Sequence, residues 1–353
     1  MALQNSGPIR FSQIEAEFGR NGRRSLGNYR VRETLGNLTL NLDNDTCGPS
    51  QNKSIPHQGT IRMSDFYNSR LNSVVNYYDT SSGPNPRYRV DGRRKWNNRP
   101  QDVRCIGGFR SRPSSSAGTK VYLHVNLTIG SERSDSRSRC GMRTGNWESN
   151  TDLYVDVGSS GEIFGAGGDG GKGRVCDGGY NGKNGNSALG IQYTNGTTKV
   201  RVFPGGRIQA GYAGGGGGGG GHNDPDKNTQ DHASSGGGGG GGAGLPSGRG
   251  GPRGDGAFGS GGNGNSGSDG SKTGRGSGGG GKSGGGSRSG DGGAGGAPGQ
   301  GAGRGAGGGG NVCSSDGTSS GGDGAAIRRV SGANFTLTNN GTVHGNTGAT
   351  NVS

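Results

Sequence analysis

Two uninterrupted glycine runs, Gly214–Gly221 and Gly236–Gly242, constrain this chain more than any other feature. Residues without a Cβ bury no apolar side chain, and glycine loses more backbone freedom on ordering than any other residue. Whatever orders these runs must therefore be backbone hydrogen bonding. The surrounding block offers little else: between Ala213 and Val330 the only aromatic residue is Phe258. With 89 glycines in 353 residues and 24% hydrophobic content, against about 45–50% apolar residues in an ordinary domain, the chain looks disordered or fibrous on average. The first 210 residues, where most aromatics and branched aliphatics lie, are the part that can bury one or two small cores.

Four readings of residues 165–324 compete. A flexible Gly/Ser tether needs polarity, not nearly pure runs of similar length. Collagen needs glycine at every third position, whereas Gly299–Gly307 has it at every second. An RGG-type RNA binder would explain Arg249-Gly250-Gly251, but such segments stack bases on aromatic rings and Phe258 alone is too few. Arg253-Gly254-Asp255 is a chance triplet in so biased a stretch. The fourth reading is a bundle of polyglycine II helices, with three residues per turn and a rise of about 3.1 Å. Each hydrogen bond nets only about 0.5–1.5 kcal/mol, so one such helix melts and only a lattice with nearly every group paired persists. That accounts for the purity, since one inward side chain opens the packing. Eight glycines then span about 25 Å, seven nearly as much, and His222–Ser235 becomes a loop joining two neighbouring rods.

The block is bracketed by β-structure. Val155-x-Val157 with Ile163, Val200-x-Val202 with Ile208, and Phe335-x-Leu337 with Val343 share one spacing. Each has Gly (Gly161, Gly206, Gly341) two residues before its last apolar position. A strand, a tight glycine turn and a second short strand repeat in this way. Val121, Leu123, Val125, Leu127 and Ile129 alternate strictly, the clearest strand pattern in the chain.

Residues 1–72 carry an internal echo, Ile9-Arg10-Phe11-Ser12-Gln13-Ile14 against Ile61-Arg62-Met63-Ser64-Asp65-Phe66 followed by Tyr67. Each copy reads as a short strand running into a helix capped by its serine, and Phe18 extends the apolar face of the first. The order IRFSQIEAEFG, RSLGNYRVRE, SIPHQGTIRMSDFYNSR is similar to a short module of phage tail proteins, which runs ISFSDINTELG, ISLND, SGAISMSDFYG. The resemblance spans about 60 residues, with a polar stretch, Asn41–Lys53, inserted before its third element. It implies a virion tail component docked onto the particle by this module, through Ile9, Phe11, Ile14, Phe18, Ile61, Met63, Phe66 and Tyr67. The glycine-rich block in turn resembles the receptor-binding adhesins at the fibre tips of T-even-like phages, in which polyglycine helices carry variable loops. By that resemblance the host-facing loops are His222–Ser235, with His222, Asn223, Asp224, Asp226, Lys227, Asn228, Asp231 and His232, then Ala243–Pro246 and the polar links beyond.

Residues 73–150 read as a basic β-domain. Its arginines at 87, 89, 93, 94, 99 and 104 suit nucleic acid or an anionic glycan, or merely solvate the surface. The bland reading is preferred because no nucleic-acid motif frames them. A net charge of +14 without specific readout retains polynucleotide only at low salt. No apolar run suits a signal peptide or membrane span. The five cysteines, odd in number and widely spread, indicate neither a zinc site nor a disulfide framework, as in a protein made in a reducing cytosol. Asp224-x-Asp226-x-Asn228 begins like an EF-hand loop but has Thr229 and Ser235 where Gly and Glu belong. No catalytic motif occurs, so no enzyme activity, cofactor or metal is expected.

The expected fold is mainly β with a small α+β module at 1–72, β-sandwich or β-solenoid-like elements, and a polyglycine II bundle within 151–353. The expected function is a phage tail or fibre protein, made and assembled in the host cytoplasm. It would contact a host glycan or outer-membrane protein through loops on that scaffold, with other tail proteins as partners and self-association into a homo-oligomer. The alternative is a purely architectural tail or capsid-decoration subunit; a nucleic-acid-binding protein ranks third.

Overall fold

A computed structural model describes residue 4 and residues 6–18, 25–26, 33–35, 38–40, 59–67, 72–77, 120–145, 149, 151–224, 232–257, 259 and 261–352. The basic stretch around residues 85–112 lies outside them. Strands dominate, as expected. Among the described residues the one α-helix is α1 (Phe11–Phe18), and none is long and apolar enough to cross a membrane. It precedes β1 (Glu33–Leu35), β2 (Leu38–Leu40) and β3 (Asn72–Tyr77), which pair antiparallel in the order β1-β2-β3.

From β3 onward the chain coils. β4 (Lys120–Val125), β5 (Thr128–Ile129) and β6 (Cys140–Arg143) make a first circuit. β7 (Asp152–Val157), β8 (Glu162–Phe164) and β9 (Ser187–Ile191) make a second, and β10 (Thr197–Val202) and β11 (Arg207–Gln209) begin a third. After an excursion containing β12 (Gly221–Asn223) and β13 (His232–Ser234), β14 (Ile327–Arg329) completes it. β15 (Asn334–Asn339), β16 (Thr342–His344) and β17 (Ala349–Thr350) form the fourth. Each circuit adds one strand to each of three parallel sheets, ordered β3-β4-β7-β10-β15, β5-β8-β11-β16 and β6-β9-β14-β17. Residue 150, where the composition suggests a boundary, falls between β4 and β7, which are neighbours in the first sheet.

The repeated spacing sets the register. Leu123, Val155, Val200 and Leu337 stand opposite one another through successive strands, as do Ile129, Ile163, Ile208 and Val343. Leu123, Val155, Val200, Ile129, Ile163 and Ile208 are fully buried. The corner glycines follow from this stacking. A Cβ at Gly161 would lie 2.0 Å from the Val125 carbonyl oxygen, and one at Gly206 2.6 Å from that of Val157. Each corner presses on the backbone of the circuit before it. On the outer side of the first sheet, Arg201 grips Asp156 with two hydrogen bonds of 2.6 and 2.8 Å. Arg201 and Lys199 also lie over the Tyr154 ring, at 4.5 and 4.7 Å from its centre.

The N-terminal echo is structural, but its caps differ from the expectation. Gln13 Oε1 accepts the Arg10 backbone N–H at 2.6 Å, and Asp65 Oδ2 accepts that of Arg62 at 2.7 Å. The arginines, not Ser12 and Ser64, are the half-in residues, because the longer side chain three positions on reaches back to the orphan donor. The second copy makes only one 3-10 turn, Met63–Phe66. Ile14 and Phe66 are fully buried in the main core, with Ile9, Phe11, Ile61 and Met63 packed against it. Tyr67 donates its hydroxyl to the Gly7 carbonyl. The Phe18 side chain lies outside the described residues.

The excursions at the β8–β9 and β11–β14 corners hold the glycine-rich block. Its segments are neither helix nor strand, and their hydrogen bonds recur every three residues. The N–H groups of Gly214 and Gly217 go to the carbonyls of Lys183 and Tyr180, those of Gly215 and Gly218 to Gly240 and Gly237, and those of Gly216 and Gly219 to Gly303 and Ala306. In return Gly215 accepts from Gly171, Gly216 from Gly293 and Gly214 from Gly321. The run 214–221 is thus surrounded by other segments, and 236–242 is its antiparallel neighbour. Turns at one end of the segments seat on the coil. Ser131 N–H reaches the Leu245 carbonyl at 3.0 Å, and the Gln209 side-chain amide that of Lys272 at 2.9 Å. Ala243–Pro246 therefore belongs to the seated end, not to the free loops the sequence grouped it with.

Candidate functional site

The opposite end of the block gathers four connections from distant parts of the chain. β12 and β13 form an antiparallel hairpin in which Gly221, His222 and Asn223 face Ser234, Ala233 and His232. Here glycine gives way to side chains because the chain leaves the packed segments and the space around it opens. The Asn223 amide donates to the Gly285 carbonyl at 3.0 Å, bringing in the turn closed by Gly284 and Ser287. Asp224 N–H donates to Asn311 Oδ1 at 2.8 Å, and the Asn311 amide returns a bond of 2.7 Å to the Asp224 carbonyl. His222 and Cys313 exchange backbone bonds of 3.3 Å.

The fourth connection is covalent. Cys176 and Cys313 form a disulfide with Cα atoms 5.4 Å apart, tying the turn after residue 174 to the loop at 311–313. This corrects the expectation of scattered thiols. The two cysteines are 137 residues apart in sequence, and only the folding of the block brings them together. Among the described residues Cys140 is the free thiol; it is buried in the coil, and burial pushes it up to about 12. His222 also stands beside the pair.

Of the eight loop residues singled out by sequence, His222, Asn223, Asp224 and His232 fall within this end. Asp226, Lys227, Asn228 and Asp231 lie outside the described residues. The backbones of His222 and Asp224 and the side chain of Asn223 are engaged in holding the loops together. Sequence reasoning passed over two residues that the geometry singles out. Tyr180 and Val312 are 50% and 54% exposed, the large apolar side chains left most open among the described residues. Val312 sits in the loop paired with His222, and Tyr180 on the flank below it, with the Arg174 guanidinium 4.5 Å from its ring centre. A signal existed: Val175-Cys176 and Val312-Cys313 are both Val-Cys pairs in a region almost bare of branched aliphatics. The resulting surface offers an aromatic face, an aliphatic side chain and mixed charge, with Arg174 paired to Asp177 and Asp255 3.8 Å from Arg253. It suits contact with another surface.

No curated protein matches the chain closely enough to count as a relative. Among solved structures, one match is the gp37–gp38 adhesin tip complex of the bacteriophage S16 long tail fibre. It is 18% identical and covers 97% of this chain and 99% of that one, with a TM-score of 0.34, too low to support a fold assignment. A family model described as phage tail fibre adhesin Gp38 matches residues 107–348, which take in the coil from β4 to β16 and the glycine-rich block. Matched over more than half its length, the chain belongs to the phage tail fibre adhesin family Gp38.

Proposed function

We propose that the chain is the host-contacting adhesin of its tail fibre and that its receptor surface is the free end of the glycine-rich block. The observation that carries this reading is the placement of the open apolar side chains, Val312 in a loop of that end and Tyr180 on the flank just below it. Exposed apolar groups rimmed by polar ones mark contact surfaces, and aromatic anchors carry much of the energy at such surfaces. We read the block as a polyglycine II bundle, a view supported by the three-residue recurrence of its hydrogen bonds. Such a scaffold holds loops of any sequence, because its own order depends on backbone alone. The host partner would be a glycan or an outer-membrane protein. Residues 1–72 would join the chain to another tail protein. Ile14 and Phe66 are fully buried in the main core, so on this reading the partner would be met by other residues of the module.

Competition tests the reading. Purified chain added to host cells before phage should lower adsorption in proportion to its concentration, and the Tyr180→Ala/Val312→Ser variant should lower it far less. If wild-type protein binds no host cells and leaves adsorption unchanged, the receptor assignment fails and the architectural alternative takes its place.

A further inference from the structure

Cys176, His222 and Cys313 each offer a ligand atom, and these atoms all lie within 4.8 Å of one another. The three come from separate connections, yet each is fixed by backbone. His222 and Cys313 are paired at 3.3 Å, Val175 forms a bridge with Ser235, and Gly220 N–H reaches the Asp177 carbonyl at 3.4 Å. Cys176 also holds a φ of 54°, a left-handed conformation uncommon outside glycine, which turns its side chain toward the other two segments.

We propose that in the dithiol form of the protein these three residues make a binding site for a thiophilic divalent cation, Zn2+ being the natural fit. Two thiolates and an imidazole are the ligand set that zinc takes at sites with three protein ligands, leaving a fourth position for water. Thiolate selects against the hard cations Mg2+ and Ca2+. Binding displaces the two thiol protons and uses the neutral imidazole. Metal and disulfide exclude each other, because a bonded sulfur offers no thiolate. Oxidation of the metal-bound dithiolate to the disulfide gives two electrons to an oxidant such as dioxygen, which takes two protons from solvent to become hydrogen peroxide, and releases the cation. The metal-free dithiol supplies both the electrons and the protons. The site stands at the base of the β12–β13 hairpin and does not depend on what that hairpin contacts, so receptor binding and metal binding fail separately.

The experiment uses the full chain, purified under a phosphine reductant and titrated with Co2+ as a spectroscopic stand-in for Zn2+. The reduced protein should bind a single equivalent with thiolate-to-cobalt charge-transfer absorption that Zn2+ bleaches. The oxidised protein should show none. His222→Ala should weaken binding by about tenfold or more, the loss typical of disturbing even an outer partner of a metal site. Cys47→Ser/Cys105→Ser should change nothing. The proposal is overturned if the reduced chain shows no such absorption, if the absorption survives oxidation, or if it persists in Cys176→Ser/Cys313→Ser. Should that last variant fail to fold, oxidised wild type supplies the same comparison without a substitution.

Discussion

Gly217 and Gly301 differ in what stands where a Cβ would go. At Gly217 the Lys172 carbonyl oxygen lies 2.2 Å from that point, and at Gly301 nothing lies within 4 Å. Gly217→Val would force neighbouring segments apart and leave backbone groups unpaired at about 1–3 kcal/mol each. Gly301→Ala should be neutral or stabilise by up to about 1 kcal/mol, since it only trims the freedom of the unfolded chain. Protease resistance and melting of the block in the two variants check this ordering, and a tether would be indifferent to both. The uninterrupted runs were legible in sequence because every position around 214–221 is closed by some neighbour: Gly215 by Gly293, Gly216 by Thr318, Gly217 by Lys172. The mixed segments were harder. Ala166, Asp169 and Lys172 fall at intervals of three, as do Asp291, Ala294 and Ala297, the one face of an otherwise glycine segment that carries side chains. That spacing becomes meaningful only once the closed faces are known.

Among the elements, the three copies of the strand–turn–strand spacing became β7–β8, β10–β11 and β15–β16. The circuit of β4 and β5 was missed because its corner is shorter: Ile129 follows Val125 by four residues, whereas Ile163 follows Val157 by six. The third sheet left no pattern to read, since Met142, Leu189 and Ile327 come from segments separated by excursions. Ile208 is fully buried between Ile163 and Val343, so Ile208→Ala should cost about 2–5 kcal/mol in chemical denaturation. The coil and the block are joined where Lys272 and Thr128 both donate to Glu162, the latter at 2.6 Å. Burial alone would raise this carboxyl, but these bonds and the charges of Lys272 and Arg207 outweigh it and hold it below the ordinary range. A depressed value means the stabilisation is complete above the unfolded glutamate pKa of about 4.3. It is lost as pH falls through the lower folded value. Melting curves below about pH 5 should therefore fall less steeply for Glu162→Gln than for wild type, because that variant has no carboxyl to protonate there.

At the scale of the molecule, two ways of paying for order meet at the β11–β14 corner. The coil is held by stacked apolar side chains, the block by backbone hydrogen bonds among segments with none to spare. The coil hands the chain over at Gln209 and takes it back at Ile327, so the free end of the block can vary in sequence without touching the apolar stacks. The glycine runs made the block recognisable as a scaffold, and the polar stretch between them marked one loop. The disulfide, Tyr180 and Val312 were hidden, because their neighbours at this end come from far away in sequence. The central claim is that this end meets the host while the rest of the chain holds it in place. Adsorption of particles carrying Tyr180→Ala/Val312→Ser, set beside particles carrying Lys272→Ala at the seated end, tests it most directly. The account predicts that both variants assemble onto fibres, that the free-end pair cuts the adsorption rate severalfold with melting unchanged, and that Lys272→Ala lowers melting while intact particles adsorb normally. Normal adsorption by the free-end pair, with the seated-end variant impaired on intact particles, would contradict it.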